Sequence, residues 1–130
     1  MMDLNHLHLS SPDVEASVAF YRDNFDFHKS QKLEGGSYFI YNRDGFMIAI
    51  GKDKKAQPGE KIAMPDWFHY GFRLPTIEAV EELYLKLRTN GSVIRENLTK
   101  YDDFVFFRCE DPAGFLLEVY WSPGPLKLKA

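Results

Sequence analysis

Asp66-Trp67-Phe68-His69-Tyr70-Gly71-Phe72-Arg73-Leu74 lies near the middle of the 130-residue chain, and what precedes it is replayed after it. A shift of 63 positions lays His6 on His69, Pro12 on Pro75, Val14-Glu15-Ala16 on Ile77-Glu78-Ala79 and Tyr21 on Tyr84. A shift of 69 lays Gly45-Phe46-Met47-Ile48-Ala49-Ile50 over Gly114-Phe115-Leu116-Leu117-Glu118-Val119. One module used twice predicts a pseudo-twofold body in which matching inward positions converge on the axis.

Around each histidine the order of elements is the same. Leu4 to Leu9 alternates as a strand with Leu4, His6 and His8 on one face and Leu7 and Leu9 on the other. Ser10-Ser11-Pro12 stops it, with serine as the expected helix cap and Val14, Val18, Tyr21 and Phe25 as the apolar stripe of the helix that follows. Strands are expected at Phe27–Leu33, Ser37–Tyr41 and Phe46–Ile50. The second module repeats this with a strand at Phe68–Leu74 and a helix capped by Thr76 that carries Val80, Leu83, Tyr84 and Leu87 and ends at Asn90-Gly91. Strands at Ser92–Leu98, Phe104–Cys109 and Phe115–Trp121 complete it. The predicted class is α+β, two tandem βαβββ modules in a single domain over residues 1–130. Module one spans 1–51, a mobile linker 52–65, module two 66–122 and a fraying tail 123–130.

Composition narrows the partners. A net charge of −3 and the lack of a basic stripe interleaved with aromatics argue against nucleic acid and anionic membrane. No apolar run is long enough to span a bilayer. The single cysteine, Cys109, excludes an internal disulfide, and the polar start Met1-Met2-Asp3-Leu4-Asn5 is unlike a signal peptide, so a cytoplasmic location is expected. Cys109 and His28 read as structural.

Glu118 is a carboxylate in an otherwise apolar strand, and burying it unpaired costs several kcal/mol. With the repeat-related His6 and His69 it makes a two-histidine, one-carboxylate set suited to a divalent transition metal with coordination positions left open. The counterpart of Glu118 is Ala49, so no symmetry-related fourth ligand exists. The plainer alternative is that Glu118 pairs with Arg73 or Arg108 and that each histidine is an ordinary strand residue.

Asn5-His6-Leu7-His8-Leu9 with Pro12-Asp13-Val14-Glu15-Ala16-Ser17-Val18-Ala19-Phe20-Tyr21, Trp67-Phe68-His69-Tyr70-Gly71-Phe72 and Asp111-Pro112-Ala113-Gly114-Phe115-Leu116-Leu117-Glu118-Val119 resemble three signatures of the vicinal oxygen chelate superfamily. That group holds glyoxalase I, the bleomycin- and fosfomycin-resistance proteins and the extradiol dioxygenases. The resemblance implies modules that curl into a half-open curved sheet cleft, a homodimer, and a divalent metal (zinc, manganese, iron(II) or nickel) on His6, His69 and Glu118. The fourth carboxylate of glyoxalase I would fall on the strand of Ala49, which has none, and Leu98–Asp103 lacks the serine-rich potassium loop of the fosfomycin enzymes.

Further roles follow from strand faces. His8 shares a face with His6 and is a candidate catalytic base, or else a histidine merely hydrogen-bonded there. Arg108 shares a face with Phe104 and Phe106 and suits an anionic substrate, or else snorkels from an edge. Met47, Phe106 and Tyr120 are candidate substrate-binding wall, with plain core as the alternative. The leading expectation is a metal-dependent lyase, thiol transferase or dioxygenase acting on a small oxygen-chelating substrate. The alternatives are a non-catalytic protein that sequesters an aromatic or antibiotic ligand in a dimer cleft, as bleomycin-resistance proteins do, and a subunit with a vestigial site.

Overall fold

Leu7, Leu9 and Ser11 turn inward along β1 (His6–Ser11), while His6 and His8 alternate with them on the exposed face. The chain is described here from a computed structural model covering residues 1–124. It divides into two units. The first is Met1–Ala63 with Pro112–Gly114, and the second is Met64–Asp111 with the described residues that follow from Phe115 to residue 124.

In the first unit, β1 is followed by α1 (Val14–Phe25), β2 (Lys29–Lys32), β3 (Tyr38–Tyr41) and β4 (Met47–Lys52), in the sheet order β1-β4-β3-β2. β1 runs parallel to β4 and the other pairs are antiparallel, so the sheet is mixed. The expected helical stripe Val14, Val18, Tyr21 and Phe25 is buried, with Leu9, Phe27, Ile40, Ile48 and Ile50 forming the sheet side of the core.

The second unit repeats the plan with β5 (Tyr70–Arg73), α2 (Ile77–Thr89), β6 (Ile94–Tyr101), β7 (Phe104–Glu110) and β8 (Leu116–Trp121), in the order β5-β8-β7-β6. Val80, Tyr84 and Leu87 are buried on α2, while Leu83 is only half-buried. The sheet meets them with Val105, Phe107, Cys109, Leu117 and Val119, and the rings of Tyr84 and Phe107 lie 5.2 Å apart. Two mixed four-stranded sheets with one helix each give the α+β class read from the sequence.

The two sequence shifts reappear as strand register. In the first unit Leu7 pairs with Ile48, His8 with Ala49 and Leu9 with Ile50. In the second, Tyr70 pairs with Leu117, Gly71 with Glu118 and Phe72 with Val119. Adding 63 to one strand and 69 to the other carries the first set of pairs onto the second.

Several expected boundaries move. β1 begins at His6 because pairing to β4 begins there, and Leu4 is exposed. Phe27 precedes β2 as a core residue, its N–H donating to the Tyr21 carbonyl at 3.3 Å. The α1 cap is Asp13, whose carboxylate accepts from the Ala16 N–H. The expected serine cap fails because Ser11 still belongs to β1 and its hydroxyl is held by Ser17 and the Asp13 carbonyl. Thr76 and Asn90-Gly91 bound α2 as expected, with Gly91 at φ 85°, the left-handed geometry glycine favours. The segment expected to be a mobile linker is tied down at several points. The Asp53 N–H donates to the Ser11 carbonyl at 2.9 Å, and the Ile62 N–H donates to the Ala113 carbonyl at 2.8 Å. The Lys55 and Ala56 N–H groups bond the Asp53 carboxylate and hold its pKa below the usual range. The expected tail at 123–130 lies, from residue 125 on, outside the described residues.

Candidate active site

β8 alternates Leu117 and Val119 against α2 with Leu116, Glu118 and Tyr120 on the opposite face, so the carboxylate of Glu118 leaves the core on the side away from the helix. Parallel pairing to β5 sets Gly71 beside Glu118, and antiparallel pairing to β7 sets Arg108 on its other side. β7 alternates in the same way, so Phe104, Phe106 and Arg108 share a face, and the pairing of β7 with β8 makes it the face of Glu118 and Tyr120.

Glu118 is held between two groups. Arg108 Nη2 donates to Glu118 Oε1 at 3.4 Å, and His69 Nε2 lies 3.6 Å from Glu118 Oε2. The side chains of Glu118 and Arg108 retain 15% and 32% of their exposure, so the pair is partly desolvated and worth more than a surface ion pair. Of the two arginines considered as partners for Glu118, Arg108 is the one found, because Arg73 donates instead to the carbonyl and hydroxyl of Ser122.

His69 sits just before β5 rather than within it, and its Nδ1 donates to the Trp67 carbonyl at 3.1 Å. That bond leaves Nε2 facing the carboxylate. In a neutral imidazole Nε2 then carries a lone pair, so two electron-rich atoms meet at 3.6 Å and only a proton or another cation between them makes the contact favourable. In the first unit His6 repeats the pattern, its Nδ1 bonded to Asn5 Oδ1 at 2.8 Å and its Nε2 left over. Fixing the far nitrogen on an acceptor is the usual way a ligating histidine is oriented.

These donors fit a divalent ion chemically. His69 and Glu118 are the expected ligands that come together within the second unit, whereas His6 belongs to the first. Among the described residues no group of three His, Cys, Asp or Glu side chains forms a metal-holding cluster. His8 pairs with Ala49 and its ring lies across Gly51, where an added Cβ would stand 3.5 Å from its Cε1 and Nε2. Met47 pairs with His6 and is half-buried.

One contributor escaped the sequence reading. Glu96 on β6 pairs with Arg108, and its carboxylate lies 3.8 Å from Arg108 Nη1, so the guanidinium bridges two carboxylates. Phe104 gains weight as well, its ring 5.2 Å from Phe106 and 5.5 Å from Tyr120. Cys109 belongs to the core face, where burial, reinforced by Asp111 and Glu110, pushes its thiol up to about 12. It is no nucleophile.

Comparison with known proteins agrees with this layout. The family model of the Glyoxalase/Bleomycin resistance protein/Dioxygenase superfamily matches residues 3–119. An uncharacterized protein of Pseudomonas aeruginosa is 28% identical over 133 residues, covering 94% of this chain and 91% of its own. A possible glyoxalase from Bacillus cereus superposes with a TM-score of 0.75 at 27% identity, over 92% of this chain and 98% of that one. A lactoylglutathione lyase from Agrobacterium tumefaciens shares the fold at a TM-score of 0.67 and 19% identity, covering 92% of both chains.

Proposed function

The chain belongs to the Glyoxalase/Bleomycin resistance protein/Dioxygenase superfamily, and on that footing we propose that it is a metal-dependent enzyme acting on a small substrate that presents neighbouring oxygens. His69 and Glu118, joined by His6, are the proposed ligands of a divalent ion, and a homodimer is the proposed assembly. The observation that carries the reading is the His69–Glu118 contact, in which Nε2 and Oε2 face each other at 3.6 Å with the far imidazole nitrogen already bonded to Trp67.

A bound divalent ion would supply Lewis acidity toward the substrate oxygens. The chain's own residues do the rest. Arg108 holds Glu118 from its other oxygen, so the carboxylate keeps one orientation. Phe104 and Tyr120, backed by the buried Phe106, give the face an apolar surface that keeps water from the substrate carbon skeleton. His8 is the proposed proton acceptor, on the exposed face of β1 with His6.

Metal analysis of the purified protein beside the Glu118→Ala variant tests this. About one divalent ion per site is expected in the parent and far less in the variant; sub-stoichiometric metal that the substitution leaves unchanged would sink it. Sedimentation of the same samples checks the dimer.

A second reading draws support from Arg108. Because its guanidinium already compensates Glu118, the carboxylate is tolerated without an ion, and the aromatic face would serve a protein that sequesters a ligand without catalysis. Ligand-induced thermal stabilisation that survives chelator treatment would favour it.

A further inference from the structure

Arg108 carries more donors than its neighbours accept. Of its five N–H groups, one makes a long bond to Glu118 at 3.4 Å and another faces Glu96 at 3.8 Å, beyond hydrogen-bond reach. Among the described residues its buried Nε has no hydrogen-bond partner. The donors open to a ligand oxygen are those on Nη1 and Nη2, since the side chain as a whole keeps 32% of its exposure, and an oxygen there would complete bonds that Glu96 and Glu118 make only at long range.

The apolar surroundings say what such an oxygen is attached to. The guanidinium carbon lies 5.6 Å from the centre of the Phe106 ring. Phe106 is flanked by Phe104 at 5.2 Å and by Tyr101, whose ring is nearly parallel to it at an interplanar angle of 15°. Tyr120 adjoins Phe104 and lies over Gly71, where an added Cβ would come within 3.4 Å of its ring. Four rings thus gather on the sheet face that carries Arg108 and Glu118.

We infer that this face selects a substrate with a planar ring bearing an anionic oxygen substituent, the ring lying on the half-buried Phe104 and Tyr120, which the buried Phe106 backs, and the anion taken by Arg108. Ring contacts are offset or edge-on at this spacing, and a carboxylate accepts two parallel donors from a guanidinium. Charge sets the conditions. Glu96 and Glu118 outnumber Arg108, so the row is negative by one and repels an anion weakly; a divalent ion on Glu118 makes it positive by one and attracts it. The inference thus shares Glu118 with the metal reading but stands on Arg108 and the rings.

Benzoate, benzamide and cyclohexanecarboxylate are the probes, titrated by calorimetry into the full chain with and without Mn2+. Benzoate is expected to bind at least about tenfold more tightly than either analogue, with the preference over benzamide lost in Arg108→Gln and that over cyclohexanecarboxylate reduced in Phe104→Leu. Benzoate no tighter than benzamide on the unmodified protein overturns the inference, whatever the variants do. Equal binding by Arg108→Gln overturns it as well. Direct titration of Mn2+ in the same experiment reads the metal site separately. Benzoate selectivity without Mn2+ binding supports the inference and removes the metal reading, and Mn2+ binding without benzoate selectivity does the reverse.

Discussion

Replacing Glu118 by glutamine removes one charge while keeping the side chain's size and an oxygen for Arg108. In metal-free protein the loss is confined to the charge on a 3.4 Å hydrogen bond between groups 15% and 32% exposed, so it costs about 1 kcal/mol. For a chain of 130 residues, at about 2.1 cal/mol/K of unfolding entropy per residue, that lowers Tm by about 4 °C. Divalent metal separates the two proteins much further. At about one hundred times its Kd, an ion stabilises the parent by about 2.7 kcal/mol, which raises Tm by about 10 °C. An amide oxygen is a weak ligand, and a hundredfold loss of affinity at the same metal concentration leaves about 0.4 kcal/mol, or about 1.5 °C. Differential scanning calorimetry of both proteins, chelated and with added Mn2+, Zn2+ or Ni2+, reads this directly. A variant stabilised as strongly as the parent would refute the reasoning, and so would a parent that none of the ions stabilises.

Three further outcomes follow from the fold. Because burial lifts the Cys109 thiol from 9.0 to about 12, the folded state holds a proton that the unfolded chain releases above pH 9. Stability should therefore fall with a slope of about 1.4 kcal/mol per pH unit between those values, a component that Cys109→Ala removes in urea titrations at pH 9 and above; an unchanged slope counts against it. Asp26 closes α1 in the left-handed region at φ 62°, so Asp26→Gly should raise stability by about 0.5 kcal/mol, the exposed Asp26–His28 contact adding little, and a destabilised variant would contradict this. Thr76→Ala removes the acceptor for the Ala79 N–H at 3.0 Å and should cost about 1 kcal/mol in urea unfolding; no loss would mean that α2 does not depend on its cap.

The repeat was legible because strand pairing preserves it. Two different shifts, one for the histidine strands and one for the glycine-led strands, turn out to be the two sides of one parallel register. Parity grouped Arg108 with Phe106 on one strand and Tyr120 with Glu118 on another, and the pairing of β7 with β8 joins the two groups on one face. Glu96 could not be read this way. β6 shifts register between Ile94 and Glu96 and again between Glu96 and Thr99, so its alternation is broken where the carboxylate meets Arg108. The α1 cap was missed for a different reason. Ser10, Ser11 and Asp13 are all good caps by type, and only the extent of β1 decides that Ser11 is still strand.

The same register shows how a duplicated frame comes to hold one charged row. Across β1, β4 and β3 the first unit sets His8, Ala49 and Phe39 side by side, and across β5, β8 and β7 the second sets Gly71, Glu118 and Arg108 at the matching places. A carboxylate in the middle of such a row needs a cation within reach on the same face. β7 supplies one at Arg108; β3 supplies a phenyl ring at the same register, and Ala49 between it and β1 is buried. The glycine has a matching consequence. With no Cβ at Gly71, the ring of Tyr120 lies over β5 beside Glu118, whereas His8 fills the equivalent place on β1 and puts an imidazole there instead. The first unit thus has a base where the second has space, and the second has an ion pair where the first has a methyl group beside a phenyl ring. The two rows differ in chemistry because they are no longer alike in sequence.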